Sequence, residues 1–300
     1  MSGFGGGFAV VIGISGYTSL PRLPLAVLND AVDVARTLWD PHLCGYRADR
    51  VRLLLEGEAT ADGIRSALDW LSESCGTGDT ALLYFSGHGW RRGEGQGSEW
   101  YLAGFDAERE SLPNGMLPGT ELTARLAKVR AGRLAAALDC CYAAGAATLK
   151  GGGTAPSRPG LTEADYERLA QGRGRMILAS SRPDETSLVL EGDRNSLFTG
   201  CLLRGLAGEA GDGEEIRVLD LFRFVSGEVP VRSGNRQHPI LKGEMENDFP
   251  LALRQSSAAP DQRPEGADPL PATPGQPFSN NAGRDIHQFG NVRDVTINNR

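Results

Sequence analysis

Apolar residues along this chain fall into two alternating patterns. Five short runs are almost continuously apolar: "FAVVIGI" (8–14), "VRLLL" (51–55), "TALLYFS" (80–86), "RLAAALD" (133–139) and "RMILAS" (175–180). Runs of that length and density suit strands covered on both faces. Between them, residues 28–39, 60–74, 119–130, 196–207 and 218–227 space their apolar side chains at helical period, and Thr60 stands where a helix N-cap belongs. Strands alternating with helices predict parallel β-α-β units, and hence a three-layer α/β/α sandwich around a mostly parallel central sheet. In such a sheet, sites form beyond the C-terminal ends of the strands.

From Gln255 the pattern changes. Residues 255–277, "QSSAAPDQRPEGADPLPATPGQP", hold six prolines and almost no large apolar side chain, which predicts a disordered, extended linker. Residues 278–300 regain alternation about Gly290-Asn291, a hairpin signal, and loosely repeat "GRDIHQFGN" as "VRDVTINNR". The expected organisation is a folded domain over 1–254, the linker over 255–277 and a short β-prone motif over 278–300. A lone hairpin is marginal in water, so the motif is expected to complete its hydrogen bonds on a partner's sheet edge or on like copies, where its flanking asparagines contribute.

Composition narrows the function classes. A chain of 300 residues with 40% hydrophobic and 23% charged content can bury one sizeable core. Its net charge of −7 argues against nucleic acid as a partner, since phosphate binding calls for a basic face. The opening "MSGFGGGFAVVIGIS" has no basic region and only a short apolar run, so neither a signal peptide nor a membrane span is expected, and the location expected is cytoplasmic. Arginine outnumbers lysine 28 to 3, which points to a GC-rich bacterial genome. Five scattered cysteines (Cys44, Cys75, Cys140, Cys141, Cys201) include no CxxC pair, so they read as free thiols. The early glycines precede their strand and lack dinucleotide-site spacing, His42 and His238 read as surface or strand-end residues, and no acidic cluster has calcium-loop spacing. No cofactor or metal is expected.

Two strand ends carry chemistry. "TALLYFS" leads into "GHGW", putting His88 between glycines, and "RLAAALD" leads into Asp139, Cys140 and Cys141. Imidazole near a thiol favours the thiolate, which attacks carbonyls, and can later protonate a leaving amine. A backbone free of Cβ admits substrate closely, so the amide of Gly89 and that of whichever cysteine is the nucleophile are candidates for an oxyanion hole. Strand alternation puts Asp139 and Cys141 on one side and turns Cys140 into the core.

"YFSGHG" followed by "DCCYAAG", with His88 and Cys141 53 residues apart, resembles the caspase-like cysteine peptidases, nearer the metacaspase and bacterial branch than the animal caspases. The resemblance runs from about Phe8 to "RQHPILKGEMENDFPLAL", although Ala144 stands where that family has glycine. It implies a caspase-like fold and a His88/Cys141 endopeptidase. It further implies that Asp30, Ser86 and Asp139 receive arginine or lysine before the scissile bond, and that Ser180, Ser181 and Asp184 of "ASSRPDETS" line the substrate groove. Such enzymes are often cut between nucleophile and next strand. The stretch 149–175, read as a loop, offers Lys150, Arg168 and Arg173 for self-processing. The tail resembles short amyloid-like signalling motifs of bacterial effectors, which implies a signalling or defence protease gathered through residues 278–300. The alternative is an inactive binding module on the same fold.

Overall fold

The computed structural model describes residue 4 and residues 6–92, 98–108, 111, 113–141 and 161–254, without the side chain of Cys141. Lys150, the expected linker and the tail motif lie outside the described residues. In chain order the first elements are β1 (Gly7–Gly13), α1 (Ala26–Trp39), β2 (Val51–Leu55), α2 (Ala61–Ser74) and β3 (Thr80–Arg92). Next come β4 (Glu99–Ala103), β5 (Met116–Pro118), α3 (Gly119–Lys128), β6 (Arg133–Cys141), α4 (Glu163–Leu169) and β7 (Arg175–Ala179). The last are α5 (Leu197–Arg204), β8 (Glu215–Arg217), α6 (Val218–Ser233), β9 (Ile240–Glu244) and β10 (Pro250–Leu253).

The five apolar runs form the parallel part of an eight-stranded sheet, to which β4 and β5 add antiparallel beyond β3. Its order is β2-β1-β3-β6-β7-β9, with the first five strands parallel and β9 antiparallel to β7. Period-two alternation splits each strand between two apolar layers. Phe8, Val10 and Ile12 of β1 pack with Ile64 of α2, Leu122 of α3 and Leu169 of α4; Ala9 and Val11 pack with Val34 of α1, Phe198 of α5 and Val225 of α6. Burying each large apolar side chain stabilises by about 1.5–3 kcal/mol, so both faces hold the sheet between helices as the pattern required. No helix among the described residues is long and apolar enough to cross a membrane.

Local signals explain several boundaries. Thr60 Oγ1 accepts the Gly63 N–H at 3.0 Å, the cap that the sequence placed there, worth about 1 kcal/mol. At Gly13 a Cβ would lie 2.5 Å from Ala31 Cβ, so glycine lets α1 close onto the end of β1. That approach brings Asp30 beneath the sheet end.

Three expectations change. β3 continues past Ser86 to Arg92, because β4 takes up its hydrogen bonds from Gly89 onward after the parallel partner ends, so His88 lies within a strand and not after one. β6 likewise reaches Cys141. The loop expected over 149–175 contains α4, started by a capping box in which Thr162 and Asp165 satisfy each other's backbone amides.

Candidate active site

Parallel pairing of β3 with β6 sets Ser86 opposite Asp139, Gly87 opposite Cys140 and His88 opposite Cys141. Neighbouring strands lie about 4.8 Å apart, so the register alone brings the two motifs together at the C-terminal edge of the sheet. Cys140 packs, half-buried, against the layer of α2 to α4, as alternation required. Burial, and then the charge of Asp139, push its thiol up, which keeps it protonated and inert.

His88 is 1% exposed and held at three points by the loop after β1. Its N–H donates to Tyr17 Oη at 2.7 Å, the two rings meet at a 38° tilt with centroids 4.7 Å apart, and Nε2 lies 2.7 Å from the Pro21 carbonyl oxygen. A carbonyl only accepts, so Nε2 carries the hydrogen, and in the neutral ring the basic lone pair is then on Nδ1. At Gly87 a Cβ would come 2.6 Å from Tyr17 Oη. Glycine there is what lets the tyrosine reach the His88 amide. A Cβ at Gly89 would make only an ordinary 3.5 Å contact with Cys140 Cβ, so packing does not demand that second glycine.

Asp30 and Asp139 are both fully buried. Asp30 accepts the Ser196 N–H at 2.9 Å and the Ser86 hydroxyl at 3.4 Å. Asp139 accepts three hydroxyls: Ser187 at 2.6 Å, Ser196 at 2.5 Å and Thr199 at 3.0 Å. Tyr84 Oη lies 2.6 Å from Thr199 Oγ1; since that hydroxyl's one proton goes to Asp139, the tyrosine is the donor. Burial first, and the charge of Asp139 second, raise the Asp30 carboxyl to about 8. Two buried acids at a strand end, ringed by hydroxyl donors, can accept one cationic group in place of those donors.

The remaining sequence candidates are scattered around this centre. Ser180 is buried beyond β7, its N–H on the Leu138 carbonyl and its own carbonyl accepting Gln237 Nε2 at 2.8 Å. Ser181 turns back on the Glu185 carbonyl at 3.5 Å, and Asp184 is exposed. Arg168 sits in α4, and Arg173, 83% exposed, meets Glu246 at 3.4 Å. His238 has a partner that the sequence did not reveal: Glu185 Oε1, 2.6 Å from its Nδ1.

Sequence reading missed Tyr17, Pro21, Ser187, Ser196, Thr199 and Gln237, whose Nε2 donates to Ser187 Oγ at 3.3 Å. Only Ser196 carried a local signal. It is an N-cap before an apolar helical segment, its Oγ accepting the Thr199 N–H at 3.2 Å.

The comparisons with known proteins agree with this architecture. The sequence pattern of the caspase domain matches residues 6–250. A crystal structure of a protein from Geobacter sulfurreducens superposes with a TM-score of 0.57 at 19% identity, covering 83% of this chain and 99% of the other, and so shares the fold. No curated protein matches the sequence. With its mostly parallel sheet, its flanking helices and a match spanning nearly the whole folded region, the chain belongs to the caspase-domain peptidase family.

Proposed function

We propose that this protein is a cysteine endopeptidase that cleaves after arginine or lysine, with His88 as general base and Cys141 as nucleophile. One observation carries the proposal: His88 within β3 and Cys141 at the end of β6 are register partners on adjoining strands, two positions beyond the partners Ser86 and Asp139. In the reaction, the Cys141 thiol gives its proton to His88 Nδ1, and Pro21 steadies the resulting imidazolium through Nε2–H. The thiolate attacks the carbonyl carbon before the scissile bond, and the oxyanion takes the amide hydrogens of Gly89 and Cys141. The C–N bond then breaks as the imidazolium proton passes to the leaving amine. Water, deprotonated by His88, hydrolyses the thioester and restores the thiol.

The acidic pair sets the specificity in this proposal. A guanidinium or ammonium group takes its place between Asp30, Ser86 and Asp139, while Ser180, Ser181 and Asp184 flank the groove. An acidic side chain facing those buried carboxylates costs several kcal/mol, enough to exclude it. The wider role is metacaspase-like: a bacterial signalling or defence effector acting on protein substrates and gathered by its 278–300 segment, which raises local concentration. Paired fluorogenic peptides differing only in arginine or aspartate before the scissile bond test the specificity. Turnover of the arginine peptide, lost on Asp139→Asn, is expected; preference for the aspartate peptide would reverse the assignment.

A further inference from the structure

Glu56 follows β2 at the head of a short 3₁₀ turn, and its backbone is left-handed, with φ at 47°. A residue bearing a Cβ is strained in that conformation, which glycine would adopt without strain. Its side chain is committed to one place. Glu56 Oε1 accepts the Ser15 N–H at 3.3 Å, the Ser15 hydroxyl at 2.8 Å and the Gly16 N–H at 3.2 Å, while Oε2 accepts the Gly16 N–H at 3.0 Å. The Ser15 carbonyl in turn accepts the Leu23 N–H at 2.9 Å, closing the loop from 15 to 23 into a ring. That loop supplies every contact to His88 described above: the Tyr17 hydroxyl and ring, and the Pro21 carbonyl. Glu56 therefore grips the root of the loop.

We propose that Glu56 is a positioning residue for the reaction: its carboxylate fixes the 15–23 loop so that the Pro21 carbonyl keeps the His88 hydrogen on Nε2 and leaves Nδ1 as the base. This inference rests on the proposed role of His88 as general base. In this role Glu56 acts on His88 through the loop, by way of its bonds to Ser15 and Gly16. Losing the grip removes an acceptor that stabilises the imidazolium, which lowers the basicity of His88.

Glu56→Gly tests it in the full-length protein, because glycine relieves the backbone while deleting the carboxylate. The variant is expected to keep its thermal midpoint within a few degrees and its KM for an arginine peptide within about twofold, yet to lose about tenfold or more in kcat. The acid limb of its kcat profile should move to lower pH, which a merely structural role would not produce. Wild-type kcat with an unmoved limb would overturn the proposal. Should the glycine variant fail to fold, Glu56→Asn takes its place with the same two outcomes, since asparagine tolerates the left-handed backbone and replaces the carboxylate with a shorter, uncharged amide. His88→Ala, run beside it, separates the two failures: an active His88→Ala removes the general-base reading, whereas an inactive one beside a fully active Glu56→Gly removes only the role of Glu56.

Discussion

Asp30 on α1 and Asp139 on β6 are joined through a single residue, Ser196, whose N–H bonds the first carboxylate at 2.9 Å and whose hydroxyl bonds the second at 2.5 Å. Both acids are fully buried, yet they are served unequally. Asp139 takes three hydroxyl donors, while Asp30 takes one amide and a long contact from Ser86, and burial first, with the charge of Asp139 second, raises the Asp30 carboxyl to about 8. Asp30 is therefore the member that holds a proton at neutral pH.

That asymmetry sets a pH dependence of stability. The Asp30 carboxyl rises from 3.8 to about 8 on folding. Between those values the unfolded chain gives up the proton and the folded chain keeps it, so stability is full below the lower value and is lost as pH rises toward the upper one, by at most about 1.4 kcal/mol per unit. Asp30→Asn removes the titration while keeping an acceptor for Ser196. Its melting temperature should exceed that of the wild type at pH 8, with the gap closing toward pH 5. Parallel melting curves across that range would refute the assignment of the proton.

Cys140 and Cys141 are adjacent but expected to differ entirely. Cys140→Ala should leave peptide cleavage nearly intact and cost about 1 kcal/mol of stability for the small cavity it opens against the α2–α4 layer. Kinetics and denaturant unfolding of the same variant check both halves. A large fall in kcat with unchanged stability would exchange the roles of the two thiols.

Much of this was legible in the chain before its structure. Near-continuous apolar runs identified the five parallel strands because burial on both faces leaves no other composition open to them. The strand ends pointed to His88, Asp139 and Cys141 for the same reason: polar side chains interrupt an apolar run only where the sheet stops being covered. Ser187 and Thr199 could not be found this way. They lie 48 and 60 residues from Asp139, and as small polar residues near turns and helix starts they look like ordinary caps until folding brings them onto a carboxylate. Pro21 contributes a backbone carbonyl, which no side-chain pattern records. The helix α4 did carry a signal, Thr162 followed three residues later by Asp165, but its glycine-rich approach reads as loop.

The same helix separates the three self-processing candidates. A peptidase groove takes an extended chain, and Arg168 lies in α4 beside the buried Tyr166 and Leu169, with Asp165 ion-paired to Arg91. Cutting there requires that turn to unwind, so Arg168→Gln should leave the fragment pattern unchanged, and cleavage should fall at Lys150 or Arg173. Intact-mass spectrometry of the wild type beside Cys141→Ala reads the outcome. A wild-type chain that stays whole, or an inactive variant cut equally, would exclude self-processing.

The His88/Cys141 assignment is tested most directly by covalent labelling with an arginyl chloromethyl ketone, followed by peptide mapping. Such a probe needs the cation pocket to dock and a thiolate to displace chloride, so it reports both halves of the site at once. The expected result is one added arginyl group on Cys141 in the wild type, with none on Cys141→Ala and strongly slowed labelling of His88→Ala. Labelling at Cys140, or labelling of Cys141 at an undiminished rate without His88, would contradict the proposed dyad.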